Sequence, residues 1–365
     1  MNKKILLFFV GIICLAIGIV FIYTHGHNTE KQTIFALIPL TGSIAEEGKI
    51  VQQAINLYTQ LEDSPFNIVF VDSESNPSKA ITAIQHATVK EENPIVLTFA
   101  AFIANAVIPA MKDKGGFVVT MGTIESLGLE KFDNYQRISH GAHDCTTPIA
   151  DYAAQKFSRV AVIYSDEDYG TTGYNVFKQR ISEKGVAIIS ANSYGQNVVN
   201  MRDIVSKSIR LNPDAVFVVG LPSVSYMNVF RELRALGFGG NILVDMAFDS
   251  PFVYKALGEV ANGIISPCFD SEIDVPETNS GREFKKVCQA NNIVPNFLAV
   301  ESFDALNILK RFFHNGNRIT QETFVSAGHW EGVSGRLDFL PKGNCHYKVV
   351  LAEYKNGKFK RIQDK

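Results

Sequence analysis

The segment Arg159–Tyr194, RVAVIYSDEDYGTTGYNVFKQRISEKGVAIISANSY, decides the fold. Its apolar run Arg159–Tyr164 predicts a strand, Gly170–Lys184 predicts a helix that ends at Gly185, and Val186–Tyr194 predicts a second strand. A strand, a helix and a strand in this order form a βαβ unit, which joins parallel strands. Strands that are apolar along their whole length are typical of a parallel sheet covered on both faces. The segment therefore predicts an α/β protein with an open, doubly wound sheet.

The same alternation continues on both sides of this segment. Upstream, strands are predicted at Thr33–Ile38, Asn67–Val71, Pro94–Phe99 and Phe117–Met121, with a helix over Glu46–Leu61 and another that begins at Asn76-Pro77. Downstream, the pattern predicts helices at Met201–Leu211, Val224–Leu236 and Ser280–His314, strands at Ala215–Gly220 and Asn241–Met246, and a closing hairpin around Asn356-Gly357. Two βαβ arrays in tandem indicate two Rossmann-like lobes.

Length and charge exclude several other classes of protein. The 365 residues suffice for two domains of roughly 150 residues each. Hydrophobic residues make up 46% and charged residues 20%, which is ordinary globular composition. The formal net charge is -2 and the chain has no long basic run, so a nucleic-acid partner is not expected.

The N-terminal 32 residues carry a targeting signal and a linker. Lys3 and Lys4 precede the uncharged apolar run Ile5–Tyr23, which as a helix is about 28 Å long and matches the hydrocarbon thickness of a bilayer. A signal anchor is favoured over a cleaved signal peptide, because no small-residue cleavage site follows at Thr24–Asn28. The lysines predict that the rest of the chain lies at the periplasmic or extracellular face, tethered through this helix or secreted as a soluble form if it is cleaved.

The cysteines and histidines do not predict a metal site. Four cysteines follow the apolar run: Cys145, Cys268, Cys288 and Cys345. An even number permits disulfides in an oxidising compartment, with three possible pairings, and buried free thiols are the equal alternative. The cluster His140-Gly-Ala-His143-Asp144 is better interpreted as a polar loop between domains than as a set of metal ligands.

The search for catalytic chemistry gives no candidate residue. The sequence lacks G-x-G-x-x-G after a strand, the phosphate-binding P-loop, H-E-x-x-H and G-x-S-x-G, so neither catalytic residues nor a cofactor are predicted. Open α/β sheets bind ligands outside the carboxyl ends of their strands. The loops expected there are rich in small, aromatic and hydroxyl residues with few charges, which favours a mostly apolar small-molecule pocket: 39–48, 100–104, 121–125, 165–170, 221–224 and 246–250.

Five stretches, in order, resemble one family. They are IPLTGSIAEEG (38–48), VDSESNPSKA (71–80), IPAMKDKG (108–115), VIYSDEDYG (162–170) and RELRALG (231–237). Together they resemble the class I periplasmic binding proteins of the leucine/isoleucine/valine type over roughly residues 33–355. The resemblance implies two lobes joined by three crossovers, with lobe 1 at 33–139 and 270–328 and lobe 2 at 140–269 and 329–365. It also implies a partner, either an ABC permease or a membrane sensor.

The resemblance also implies a set of ligand-binding positions. Tyr169 matches the tyrosine that closes the pocket from lobe 2, and Leu221 replaces a second tyrosine. Met246 falls on the acid that holds a ligand ammonium, and Asp245 lies one place earlier, where a one-residue shift along a strand turns a side chain to the opposite face. Glu47 falls where the family usually has an aromatic residue, and Ala101 and Phe102 fall where it usually has hydroxyl residues. The remaining positions, Gly122 and Thr123, are in the loop after the fourth strand.

These substitutions predict a binding protein whose ligand differs from that of the family. Branched-chain amino acids are expected to bind weakly, and a more apolar or aromatic molecule is expected to stack on Tyr169 and Phe102. Glu47 is the alternative partner for a cation, which keeps an amino-acid-like ligand open. The first hypothesis is a solute-binding protein that closes about a hinge and serves an ABC-type transporter. The second is a ligand-sensing regulatory protein, and the third, an enzyme on the same scaffold, has no motif to support it.

Overall fold

The computed structural model describes residues 31–61, 64–123, 128–129, 131–195, 198–273, 277–316 and 318–362. The predicted membrane helix, 5–23, lies outside these residues. Within the described ranges, every helix is too short or too polar to cross a bilayer.

The first sheet has five parallel strands. They are β1 (Gln32–Ile38), β2 (Phe66–Asp72), β3 (Ile95–Thr98), β4 (Phe117–Thr120) and β5 (Tyr135–Arg137), in the spatial order β2-β1-β3-β4-β5. The helices that follow the first three strands are α1 (Ala45–Gln60), α2 (Pro77–Ala87) and α3 (Ala101–Lys112). The predicted strands and helices of this segment are confirmed, and β5 was not predicted.

The second sheet is built on the segment that opened the sequence analysis. Its parallel strands are β6 (Arg159–Ser165), β7 (Ala187–Tyr194), β8 (Ala215–Val219), β9 (Asn241–Val244) and β10 (Ile264–Cys268). The helices are α4 (Ala142–Lys156), α5 (Asp168–Glu183), α6 (Arg202–Ile209), α7 (Val224–Ala235) and α8 (Pro251–Leu257). The predicted polar loop at 140–144 is wrong beyond residue 141, because α4 begins at Ala142.

The last third of the chain contributes elements to both halves of the molecule. The helices α9 (Asn279–Ala290), α10 (Phe297–His314) and α11 (Gln321–Ala327) precede a small antiparallel sheet of β11 (His329–Glu331), β12 (Arg336–Leu340) and β13 (Asn344–Tyr347). The predicted hairpin, β14 (Val350–Lys355) and β15 (Lys358–Arg361), then joins the second sheet in the order β15-β14-β10-β9-β8-β6-β7. Its turn residues Asn356 and Gly357 have φ of 52° and 80°, as a type I′ turn requires.

Apolar side chains cover both faces of each sheet. On β1, Ile34 and Ile38 pack into the core beneath α1 and α10, whereas Phe35 and Leu37 pack into the core beneath α2 and α3. The second sheet repeats this arrangement, because alternate residues of β6 enter two separate apolar clusters. Burial on both faces explains why the strands are apolar along their whole length.

The chain passes between the two sheets three times, after β5, after β10 and after β13. Residues 329–347 pack on the first sheet, where Val333, Leu337 and Phe339 are buried among its core residues. We therefore propose that lobe 1 extends to about residue 347, rather than to 328 as the resemblance implied. The four cysteines are buried free thiols, the second alternative left open by the sequence.

Candidate functional site

The carboxyl ends of the strands of both sheets meet at one place, which we call the shared edge. The last residues of β5 and β10 lead directly into two of the three crossings. Met246, which follows the end of β9 in the second sheet, is fully buried in the core of the first sheet. We therefore propose that the loops predicted to bind a ligand converge at this edge.

Asp72 fixes the first of these loops. Its carboxylate accepts hydrogen bonds from the backbone amides of Leu40 (2.9 Å) and Thr41 (3.2 Å) and from the Thr41 hydroxyl (2.8 Å). Burial alone would raise the pKa of Asp72, but the hydrogen bonds, including one from the amide of Glu74, hold it below its usual value. The loop is thus held in place where it leads into α1.

Glu47 lies in the first turn of α1, at the carboxyl end of β1. It begins the buried stripe of this helix and is only 3% exposed. Its Oε1 atom has no hydrogen-bond partner among the described residues. Burial raises the pKa of Glu47 to about 7. This carboxyl group is therefore desolvated at the shared edge without a protein donor for one of its oxygens.

The start of α3 is strained and has no side-chain cap. Ala100 precedes the helix with φ of +77°, in the left-handed region that favours glycine, and forms no capping hydrogen bond. Gly122 packs against this start, since a Cβ at position 122 would lie 2.6 Å from the amide nitrogen of Ala101. Phe102 is partly exposed and packs toward the core beneath α2 and α3. Backbone strain of this kind is common at ligand-binding sites.

His140 is fixed between the first crossing and α10. Its Nδ1 atom lies 2.7 Å from Oε1 of Glu301, its backbone amide donates to the same oxygen (2.9 Å), and its Nε2 atom lies 3.3 Å from the Thr123 hydroxyl. The rings of Phe269 and Phe297 face His140 edge-on. Across the described ranges, no three His, Cys, Asp or Glu residues are arranged to hold a metal ion.

Asp245 accepts hydrogen bonds from two tyrosines. The Tyr226 hydroxyl donates to Oδ1 (3.0 Å), and Tyr169 also donates to this carboxylate. Burial raises the pKa of Asp245 to about 7, although the tyrosines and the nearby His140 favour its ionised form. The Oδ2 atom has no partner among the described residues.

The expectation that Asp245 is turned to the opposite face is therefore wrong. Strand β9 ends at Val244, so the alternation of a strand does not extend to Asp245. The residue that turns away is Met246, whose side chain enters the first core.

The structure thus brings the predicted residues into two groups. Ala101, Gly122 and Thr123 lie along the first sheet, whereas Tyr169 and Asp245 lie along the second. The Glu167 side chain caps the start of α5 by accepting hydrogen bonds from the amides of Tyr169 (2.7 Å) and Gly170 (2.9 Å). Leu221 is partly exposed at the end of β8. Sequence reasoning missed Tyr226 and Glu301. The signal for Glu301 was an acid within the apolar first half of α10, which also holds Asp304.

Comparison with known proteins agrees with the fold. A family model described as periplasmic binding protein matches residues 31–358. The fold is similar to that of a leucine-binding protein from Thermotoga maritima, with 19% identity, a TM-score of 0.78 and coverage of 91% of this chain and 98% of that one.

Two solute-binding proteins of ABC transporters from Rhodopseudomonas palustris are equally similar in fold. One, in complex with 4-hydroxybenzoate, has 17% identity, a TM-score of 0.80 and coverage of 92% of this chain and 96% of that one. The other, in complex with 3,4-dihydroxybenzoic acid, has 18% identity, a TM-score of 0.79 and coverage of 91% and 95%. A search of curated proteins finds no match to the sequence.

Proposed function

The chain belongs to the periplasmic binding protein family, and from this premise we propose that it captures a small carboxylic acid between two lobes and delivers it to an ABC permease. The family implies a location outside the cytoplasm. A tether through the apolar run Ile5–Tyr23 and closure of the lobes about the three crossings are parts of the same proposal.

The observation that carries the proposal is the acceptor at Asp245. Two tyrosine hydroxyls orient its carboxylate, and Oδ2 is buried with no donor among the described residues. A buried acceptor without a hydrogen bond costs about 1–3 kcal/mol, which a ligand donor recovers on binding. An ammonium or a hydroxyl group of the ligand meets this requirement.

The first sheet supplies complementary groups for a carboxylate. The uncapped start of α3 offers backbone amides at Ala101 and Phe102, and the positive end of the helix dipole favours an anion there. Gly122 packs directly against the amide of Ala101, where any side chain would clash. The named ligands of the similar structures, leucine and two hydroxylated benzoic acids, all carry a carboxylate.

The other predicted residues take secondary roles in this proposal. Thr123, Leu221 and the ring of Phe102 line the space between the two polar groups. Met246 is fully buried and supports the backbone next to Asp245 rather than contacting the ligand.

Thermal unfolding with candidate ligands tests the proposal. A ligand at about 100 times its dissociation constant adds about 2.7 kcal/mol to the free energy of unfolding. We expect upward shifts of the melting temperature with leucine or 4-hydroxybenzoate, and a smaller shift with benzoate, which has no donor for Asp245. The proposal is contradicted if none of these acids raises the melting temperature, or if benzoate binds as tightly as 4-hydroxybenzoate.

A pair of variants on α5 provides the control. Tyr169→Phe removes one donor to Asp245 and is expected to weaken binding about tenfold, the value of one hydrogen bond to a charged group. Tyr174→Phe removes a hydroxyl from the same helix. The ring of Tyr174 stacks on the ring of Tyr164, with 4.3 Å between the ring centroids, and its hydroxyl is not a donor to Asp245. This second variant is expected to leave the affinity within a factor of two.

A further inference from the structure

The six loops predicted to bind a ligand carry charge of one sign, although Arg137 at the end of β5 is a cation of the same edge. Residues 39–48, 100–104, 121–123, 165–170, 221–224 and 245–250 include seven acids and neither lysine nor arginine. The acids are Glu46, Glu47, Asp166, Glu167, Asp168, Asp245 and Asp249. The loops hold few charges, as the sequence indicated, but those charges are all negative. A site of this composition attracts cations.

Asp249 accepts one hydrogen bond, from the amide of Phe297 (2.8 Å) to Oδ2, although its Oδ1 has no partner among the described residues. Glu47 is another deeply buried member of this set with such an oxygen. It forms no ion pair with a described Lys or Arg, and one of its oxygens has no donor in the same part of the chain. Asp304 is as deeply buried but accepts from the amides of Val333 (2.6 Å) and Ser334 (3.0 Å) and from the Ser334 hydroxyl (2.5 Å). Glu301 is buried against His140.

An isolated carboxylate in a buried site is costly unless it is paired or protonated. The fold gives Asp304 three donors and pairs Glu301 with His140, although Oε2 of Glu301 has no partner among the described residues, whereas Glu47 has no such ion pair. Since Glu47 lies in the first turn of α1, which follows the carboxyl end of β1, its unpaired oxygen is placed at the edge where the ligand is proposed to bind.

We propose that Glu47 determines specificity for a basic group, so that the ligand is an organic cation of the basic amino acid class. Its side-chain amine pairs with Glu47, and its α-ammonium pairs with Asp245. This inference rests on the proposed function, because it assigns a second group to the same ligand. The one-sided charge of the loops then matches the net positive charge of the ligand.

Three probes separate the groups of such a ligand. L-Lysine carries both amines and a carboxylate, L-leucine lacks the side-chain amine, and cadaverine is lysine without the carboxylate. Calorimetric titration is expected to give lysine at least a tenfold higher affinity than leucine. Glu47→Gln, which keeps the size of the side chain, is expected to weaken lysine at least tenfold and to change leucine by less than a factor of two.

Glu46→Gln is the matched control. It removes the same charge one residue away, but Glu46 is exposed and pairs with Lys49 (2.7 Å). We expect it to change lysine binding by less than a factor of two, because exposed charges are screened by salt. An equal loss in both variants would show a general effect of charge and overturn the role of Glu47.

The outcomes distinguish this inference from the proposed function. If leucine or 4-hydroxybenzoate binds while lysine does not, or if lysine binds equally to Glu47→Gln, the cation site is refuted and the proposed function stands. If cadaverine binds as tightly as lysine, the amine sites stand and the carboxylate site is refuted. If no probe binds, both are refuted.

Discussion

Replacing Glu47 by glutamine is expected to stabilise the ligand-free protein at high pH and not at low pH. Burial raises the pKa of Glu47 from its usual 4.5 to about 7, so folding favours the protonated form. The stability linked to this proton is fully present below pH 4.5 and is lost as the pH rises through about 7. A shift of about 2.5 units at 1.36 kcal/mol per unit gives a cost of about 3 kcal/mol above pH 7. Glutamine carries no charge at any pH and avoids this cost.

Urea unfolding at pH 5 and pH 8 measures the effect. The free energy of unfolding of Glu47→Gln is expected to exceed that of the native sequence by about 3 kcal/mol at pH 8 and by a much smaller amount at pH 5. Glu46→Gln, at an exposed position, is expected to show no such difference between the two pH values. A Glu47→Gln protein that is less stable at pH 8 would refute the reasoning, because it would mean that a protein group already stabilises the carboxylate.

Three further expectations concern other parts of the molecule. Asp304→Ala leaves the donors of Val333 and Ser334 without an acceptor and is expected to lower the free energy of unfolding by about 3 kcal/mol or more, measured by urea unfolding; a loss below about 1 kcal/mol would contradict it. X-ray scattering is expected to give a smaller radius of gyration with bound ligand, and an unchanged profile at saturation would argue against closure. If the apolar run Ile5–Tyr23 is an uncleaved anchor, the protein is expected to stay in the membrane fraction after a carbonate wash, whereas a soluble form that begins near residue 25 to 32 would contradict this.

The fold was predictable where local signals suffice. Apolar runs located the long strands of both sheets, glycines located helix ends, and Asn356-Gly357 located the hairpin. The Asn76 cap is also confirmed, since its side chain accepts from the amide of Lys79 (3.1 Å). The helices that were missed are α4, α8 and α11, with 15, 7 and 7 residues. The strands that were missed, β5, β10 and the small sheet of β11, β12 and β13, have three to five residues each. Such short strands are stabilised by pairing with distant segments, which one sequence does not reveal.

The positions of the loops could be predicted from the sequence, but the contacts between their residues could not. Loops at carboxyl ends of strands follow from the parallel sheet, and Tyr169 and Asp245 do lie together. The direction of Asp245 could not be derived, because it depends on β9 ending at Val244. Tyr226 approaches from a different helix, and its partnership with Asp245 arises only in the folded protein. One premise of the prediction of weak leucine binding is therefore wrong, although the absence of hydroxyl side chains at Ala101 and Phe102 remains.

The shared use of the C-terminal third has a consequence for the order in which the protein folds. The core of the first sheet joins residues as far apart as Ile34 and Tyr347, and the second sheet is completed only by β15 at Arg361. Neither half therefore has its full set of partners until almost all of the chain has been synthesised. Because long-range contacts of this kind slow folding, both sheets are expected to be completed only late in synthesis or after it.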